Sequence, residues 1–162
     1  MSFKDVEELE VYCLLCDLHI EVSDVSASWP KSETYELGSQ VRRSSNSSPS
    51  QLAEKNDDRH IRNKIEGVNR ARGEAGESIH HLFMAYRKKY IDADKYAYFK
   101  GAYKKCIRML NGLERSLEKH IPGTERRWPM AQEERAAYGE MLTFSGYPEP
   151  APDSDSSPNT EH

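Results

Sequence analysis

No stretch of the sequence approaches the roughly 20 consecutive apolar residues that a membrane-spanning helix requires. The opening MSFKDVEELE carries acids where a secretion signal needs a basic start followed by an apolar run. A cytoplasmic protein without a membrane partner is expected. Cysteine is scarce and odd in number, at three, which argues against a disulfide framework. The expected role of those cysteines is as reduced, small apolar core residues. Also missing are a nucleophile elbow, a phosphate-binding glycine loop and an HExxH sequence. No internal repeat is visible.

What is present suits one domain with a real core. Hydrophobic residues make up 36% of the 162 and charged residues 31%, a balance typical of helices with long exposed faces. The formal net charge of −4 is unevenly spread. Residues 1–50 carry a balance of −5, residues 51–122 one of +6, and residues 123–162 one of −5. A polyanion therefore has a basic region to meet in an acidic chain.

Four segments repeat their apolar residues at the helical period. The first runs from Lys4 to Ala27 and stops at Trp29-Pro30; the second runs from Ser32 to Lys55. Asn56-Asp57-Asp58 offers capping chemistry for the third, which reaches Tyr90, and Asp92 for the fourth, which ends near His120. The short connections make successive helices antiparallel neighbours. Beyond Pro122 the pattern fades: MAQEERAAYGEML fits one more short helix, and PEPAPDSDSSPNTEH has the composition of a disordered acidic tail. The domain reading is a bundle over 1–122, an extension over 123–146 and a tail over 147–162.

The third segment places Ile61, Ile65, Val68, Ala75, Ile79, Leu82, Phe83, Tyr86 and Tyr90 on one arc. Arg72 falls inside that arc, where a guanidinium must be paired or must reach past the core edge. The first segment has two apolar arcs. Val6, Leu9, Cys13, Cys16 and Ile20 form one; Val11, Leu14, Leu15, Leu18, Val22 and Val25 form the other, nearly opposite. A corner helix of a lone bundle needs only one buried face, so the second implies another partner, a neighbouring subunit or else the C-terminal extension. Self-association is expected, with Val11, Leu14, Leu15, Leu18 and Val22 as the candidate subunit interface.

The second segment contains YELGSQVRRSSNSSPSQLAEK, residues 35–55. On a helix, Leu37, Val41, Ser44, Ser48 and Leu52 share one face, so serines stand where a core ordinarily takes larger residues. Small side chains allow close helix approach, and a buried hydroxyl can bond back to the carbonyl four residues earlier. Pro49 removes one ladder bond and bends a helix. On these residues alone, a linker and a bent helix remain equally open.

Chemistry-bearing constellations are weak. Cys13-x-x-Cys16-x-x-His19 has no second cysteine pair to complete a tetrahedral site. Glu77-x-x-His80 is half of a di-iron motif that needs a second copy and two further glutamates. His80 and His81 are adjacent and cannot share a helix face. Asp92 and Asp94 read as helix-start residues. Neither enzyme activity, a metal nor a cofactor is expected.

The fourth segment turns Tyr98, Phe99, Ala102, Tyr103, Cys106, Met109, Leu110, Leu113 and Leu117 inward. Its outer sector, about 100° wide, collects Lys104, Lys105, Arg108, Arg115 and Lys119 with Gly101, Asn111 and Gly112, and no acid. These five cations are the candidate nucleic-acid-binding residues. A second stripe, Lys55, Arg59, Arg62, Arg70, Arg87 and Lys88, is interrupted by Glu66 and Glu77 and reads as a solvated face.

The serine stretch resembles the signature of the four-helix bundle protein family encoded in intervening sequences of bacterial large-subunit ribosomal RNA genes. That signature is approximately Y-x-L-x-S-Q-[IV]-R-R-A-A-x-S-I-P-x-N-I-A-E-G. Tyr35, Leu37, Ser39, Gln40, Val41, Arg42, Arg43, Ser47, Pro49, Ala53 and Glu54 match it. FKDVEELEVY, WPKSETYEL, Ala71-Arg72-Gly73 with Glu77, and IRMLNGLERSL extend the likeness over about residues 3–118. Asn46, Ser48 and Lys55 depart from the family pattern, and residues 123–162 have no counterpart in it.

The resemblance implies one bent helix for the second segment and an all-α, antiparallel, up-down four-helix bundle with a C-terminal extension. It also implies a homopentameric ring, and a role in engaging RNA or a nucleoprotein, since a related protein is the accessory factor of diversity-generating retroelements. In a ring each basic stripe repeats by symmetry. The alternative is a protein-interaction scaffold or an accessory subunit, for instance of a reverse transcriptase, without direct nucleic-acid binding. The basic sector would then meet the acidic N-terminal half or the tail, and the tail could also mask it.

Overall fold

The computed structural model describes residues 5–128. Helices α1 (Glu10–Ala27), α2 (Leu37–Asn56), α3 (Ile61–Arg87) and α4 (Ala93–Glu118) are joined by short connections; a 3₁₀ turn, Lys31–Glu33, lies between α1 and α2, and two more, Val6–Glu8 and Gly123–Glu125, flank the bundle. α1 packs on α2 and α4, α2 on α3, and α3 on α4, which closes an antiparallel four-helix bundle. The short helix and acidic tail expected beyond residue 128 lie outside the described residues.

The local chemistry explains the helix ends. Asp92 caps α4, its side chain accepting from the Lys95 amide at 2.7 Å. Asp58 instead organises the α2–α3 turn, accepting from the His60 amide at 2.7 Å and from Asn63 Nδ2 at 2.9 Å. α3 ends with Lys89 in the left-handed region (φ 64°), and the Tyr90 amide reaches back to the Ala85 carbonyl.

α2 is one uninterrupted helix across the serines and Pro49. Its hydroxyls are spent in two ways. Ser44 and Ser45 bond back to the carbonyls of Val41 and Arg42, three residues earlier rather than four. Ser48 crosses to the Ala71 carbonyl of α3 at 2.8 Å, and Ser44 Oγ lies 2.9 Å from Ser78 Oγ, which itself donates to the Glu74 carbonyl. A Cβ on Gly67 of α3 would stand 2.9 Å from the Gln51 carbonyl oxygen of α2. The α2–α3 seam is therefore built from small residues at close backbone range.

That seam corrects the reading of α3. Its buried side runs through Gly67, Val68, Ala71, Ala75, Ser78, His81, Leu82 and Ala85. Phe83 and Tyr86, expected in the core, are 37% and 36% exposed. The physical reason is that a close serine–glycine seam turns the small residues of α3 toward α2, which carries its aromatics toward the outer edge of α4. Tyr98 of α4, also expected inside, is half exposed and donates to Glu21 Oε1 at 3.0 Å.

α1 requires the larger correction. Val11, Leu15, Leu18 and Val22, assigned to a subunit interface, are buried in the chain's own core with Val41, Leu82, Phe99 and Leu110; Leu14 is half-buried against that core. Two apolar arcs do not say which one meets the bundle. Val6 and Leu9 of the other arc also pack against the core. What α1 leaves outside is a narrow strip of Cys13, half-buried Cys16 and Ile20, the last 59% exposed. Of the three cysteines expected in the core, only Cys106 is buried.

Candidate nucleic-acid interface

Arg72, which the sequence left without a partner, spans from α3 to α4. Its Nη1 donates to Glu114 Oε2 at 2.6 Å and to Asn111 Oδ1 at 3.0 Å, and its Nη2 donates to Asn69 Oδ1. Glu114 is completely buried and Arg72 is largely covered. This contact fixes the rotation of α4 against α3. With Phe99, Tyr103, Cys106, Leu110 and Leu117 also buried, the opposite side of α4 must face outward.

On that outward side Lys104, Lys105, Arg108, Arg115 and Lys119 are all exposed, as expected. They run along about 22 Å of helix. Lys105 Nζ stands 4.0 Å from Glu10 Oε1 on α1, between two exposed side chains. Such a pair contributes about 0–1 kcal/mol and yields readily to a phosphate. Gly101 and Gly112 share the sector, and a Cβ at either would meet nothing within 4 Å. The helix backbone is thus approachable there. The two acids of this part of α4, Glu114 and Glu118, are both buried.

The other basic stripe is drawn into ion pairs. Arg62 donates to Glu125 through Nε at 2.9 Å and Nη2 at 3.0 Å, and Arg70 pairs with Glu66 at 2.6 Å. Lys88 Nζ meets buried Glu33 at 2.5 Å. The Glu33 carboxylate also accepts from the Tyr90 hydroxyl and the Leu37 amide. The hydrogen bonds from Lys88 and Tyr90 hold its pKa below the ordinary glutamate value, and the same carboxylate raises that of Lys88.

Residues of the metal-like motifs take part in hydrogen bonds. His19 Nδ1 lies 2.8 Å from Ser45 Oγ, and burial lowers its pKa. Cys13 Sγ donates to the Glu7 carbonyl. Glu77 is placed with Arg43 at 2.6 Å and His81 at 3.2 Å, while His80 is exposed. Among the described residues no group of three or more His, Cys, Asp or Glu side chains is placed to hold a metal ion. No described helix is long and apolar enough to cross a membrane.

The sequence motif and the bundle agree with one family. The family model described as "23S rRNA-intervening sequence protein" matches residues 7–112, more than half of the chain. The chain belongs to the 23S rRNA-intervening sequence protein family. The family's description names a gene location and no reaction. The match covers α1 to α3 whole and most of α4, including Lys104, Lys105 and Arg108; Arg115 and Lys119 lie past its end. No curated protein matches this member of the family. Tyr35, the first residue of the motif, is 88% exposed, so its ring does not serve the core of a single chain.

Proposed function

We propose that the protein is a non-catalytic helical bundle that associates with copies of itself and binds RNA through the basic face of α4. The observation that carries this is the α4 stripe: five exposed cations on one side of a helix whose nearby glutamates are buried. Membership of the ribosomal RNA intervening-sequence family agrees with an RNA ligand. Contacts of this kind read phosphates and not bases, so binding is of low sequence specificity and weakens steeply with salt. Replacing Lys104, Arg108 and Arg115 together with glutamine abolishes a gel shift with structured RNA. A shift unchanged by those substitutions would refute the assignment of the stripe.

Self-association is supported by the outward strip of α1, where Ile20 stands exposed beside Cys13 and half-buried Cys16. A ring of copies would multiply modest phosphate contacts through avidity. Sedimentation velocity is expected to show an oligomer that Ile20→Glu dissociates; a monomeric wild type would remove this part of the reading. The exposed Tyr35 favours a second reading, a scaffold or accessory subunit that meets another protein. In that case the purified oligomer leaves RNA unshifted.

A further inference from the structure

Where α3 meets α4, next to the turn between them, lies a group of aromatic rings that the core does not absorb. Tyr86 of α3 stacks on Tyr96 of α4 with ring centres 5.5 Å apart and planes only 8° from parallel. Phe83 leans on both, 6.4 Å from Tyr86 and 5.6 Å from Tyr96. Phe83 and Tyr86 remain more than a third exposed and Tyr96 is half-buried. Cations border the group: the Arg87 guanidinium is 5.8 Å from the centre of the Phe83 ring, and Lys100 Nζ is 5.7 Å from that of Tyr96.

The placement of these rings relative to the basic stripe gives the group its meaning. Tyr96, Lys100, Lys104 and Arg108 succeed one another at intervals of four, a row along one side of α4 with about 6 Å between steps. The row starts on the ring stack and continues into the exposed cations. The acids nearby do not interrupt it: Asp92 is engaged in the helix cap, and Asp94, two residues from Tyr96, falls on the opposite side of the helix. A core would have hidden these rings, and a surface designed only for solubility would not carry three of them together.

We propose that Phe83, Tyr86 and Tyr96 form a stacking platform for unpaired bases of single-stranded RNA, whose phosphates follow Lys100, Lys104 and Arg108. This rests on the RNA-binding reading of α4 and narrows its ligand to strands with accessible bases. Every base has an aromatic face, so the platform tolerates any sequence. A duplex hides its bases in its own stack and can use only the cations.

The test is fluorescence anisotropy of the full-length protein with two labelled probes, a single-stranded adenosine oligomer and an RNA duplex of equal length. Tyr86→Leu combined with Tyr96→Leu should weaken the single-stranded probe by about tenfold or more and leave the duplex within about twofold. Tyr86→Phe with Tyr96→Phe should retain wild-type affinity for both, since stacking needs the ring and not the hydroxyl. If the leucine pair unfolds the bundle, Tyr86→Leu alone, at an exposed site, should still weaken single-strand binding selectively.

Equal weakening of both probes, or of neither, overturns the platform. The basic stripe then still stands provided that glutamine at Lys104, Arg108 and Arg115 weakens both. A wild-type protein that binds neither probe overturns the stripe and the platform together; rings that receive another protein would give that result or leave both affinities unmoved by the leucine pair.

Discussion

Arg72 and Glu114 lie 2.6 Å apart with the carboxylate shut away from water, and Asn69 and Asn111 complete the guanidinium's bonding. Breaking such a pair from one side leaves a buried charge alone, at a cost of about 3–5 kcal/mol, whereas replacing both by apolar groups is close to neutral. Arg72→Met should therefore destabilise the bundle severely in chemical denaturation, and Arg72→Met with Glu114→Leu should recover most of the loss. That Arg72 is either paired or reaches past the core edge was legible in the sequence, because a guanidinium stood in an apolar arc, and the structure shows the first. The partner itself was not: Glu114 sits between Leu113 and Arg115 like any surface glutamate, and only the rotation of α4 takes it inside.

Glu33 makes a pH prediction at the same scale. Its folded pKa lies below the ordinary 4.5 because Lys88 and Tyr90 bond its charged form. The unfolded chain therefore takes up the proton first as pH falls. The stabilisation is complete above about 4.5 and is lost below it, through the folded pKa. Asp58, also lowered, through the His60 amide and Asn63, contributes just below the same range. Thermal melts of wild type and Glu33→Gln should differ at neutral pH and converge as the solution is acidified. A gap that stays constant down to the acid limit would contradict this account.

For the elements, helix periodicity located α1, α3 and α4, and resemblance was needed for α2, where the physics was balanced. Its serines look like a linker because hydroxyls normally compete with the helix backbone. They are tolerated because α3 offers Gly67, Ala71 and Ser78 in register, and a seam of small residues cannot be recognised from one of its two sides. The same blindness put Phe83 and Tyr86 in the core. Two glycines separate structural from surface roles. Gly67→Ala should cost about 1–3 kcal/mol, since its methyl would crowd Lys55 and the Gln51 carbonyl. Gly112→Ala, with open space before it, should stabilise the helix by roughly 1 kcal/mol. If RNA approaches the α4 backbone, that stabilised variant should also bind RNA more weakly; unchanged affinity would assign Gly112 no part in binding.

For the whole molecule, the uneven charge along the chain folds into two different surfaces, an ion-paired stripe on α3 and an exposed cationic sector on α4. The basic sector of α4 survives folding as an exposed face because its orientation is fixed by the Arg72–Glu114 contact and the apolar side beneath it. The apolar doubling of α1 was a poorer guide, since the single chain uses the whole of one arc and Val6 and Leu9 of the other, which leaves outside chiefly Ile20 and Cys13. The central claim is that α4 neutralises phosphates, and its most direct test is the salt dependence of RNA affinity. On a single strand each neutralised phosphate contributes about −0.7 to the slope of log K against log salt concentration. The wild type should show a slope of about −2 or steeper, and glutamine at Lys104, Arg108 and Arg115 should reduce its magnitude by about 2. A slope near zero in the wild type, or an equal slope in both proteins, would contradict the account.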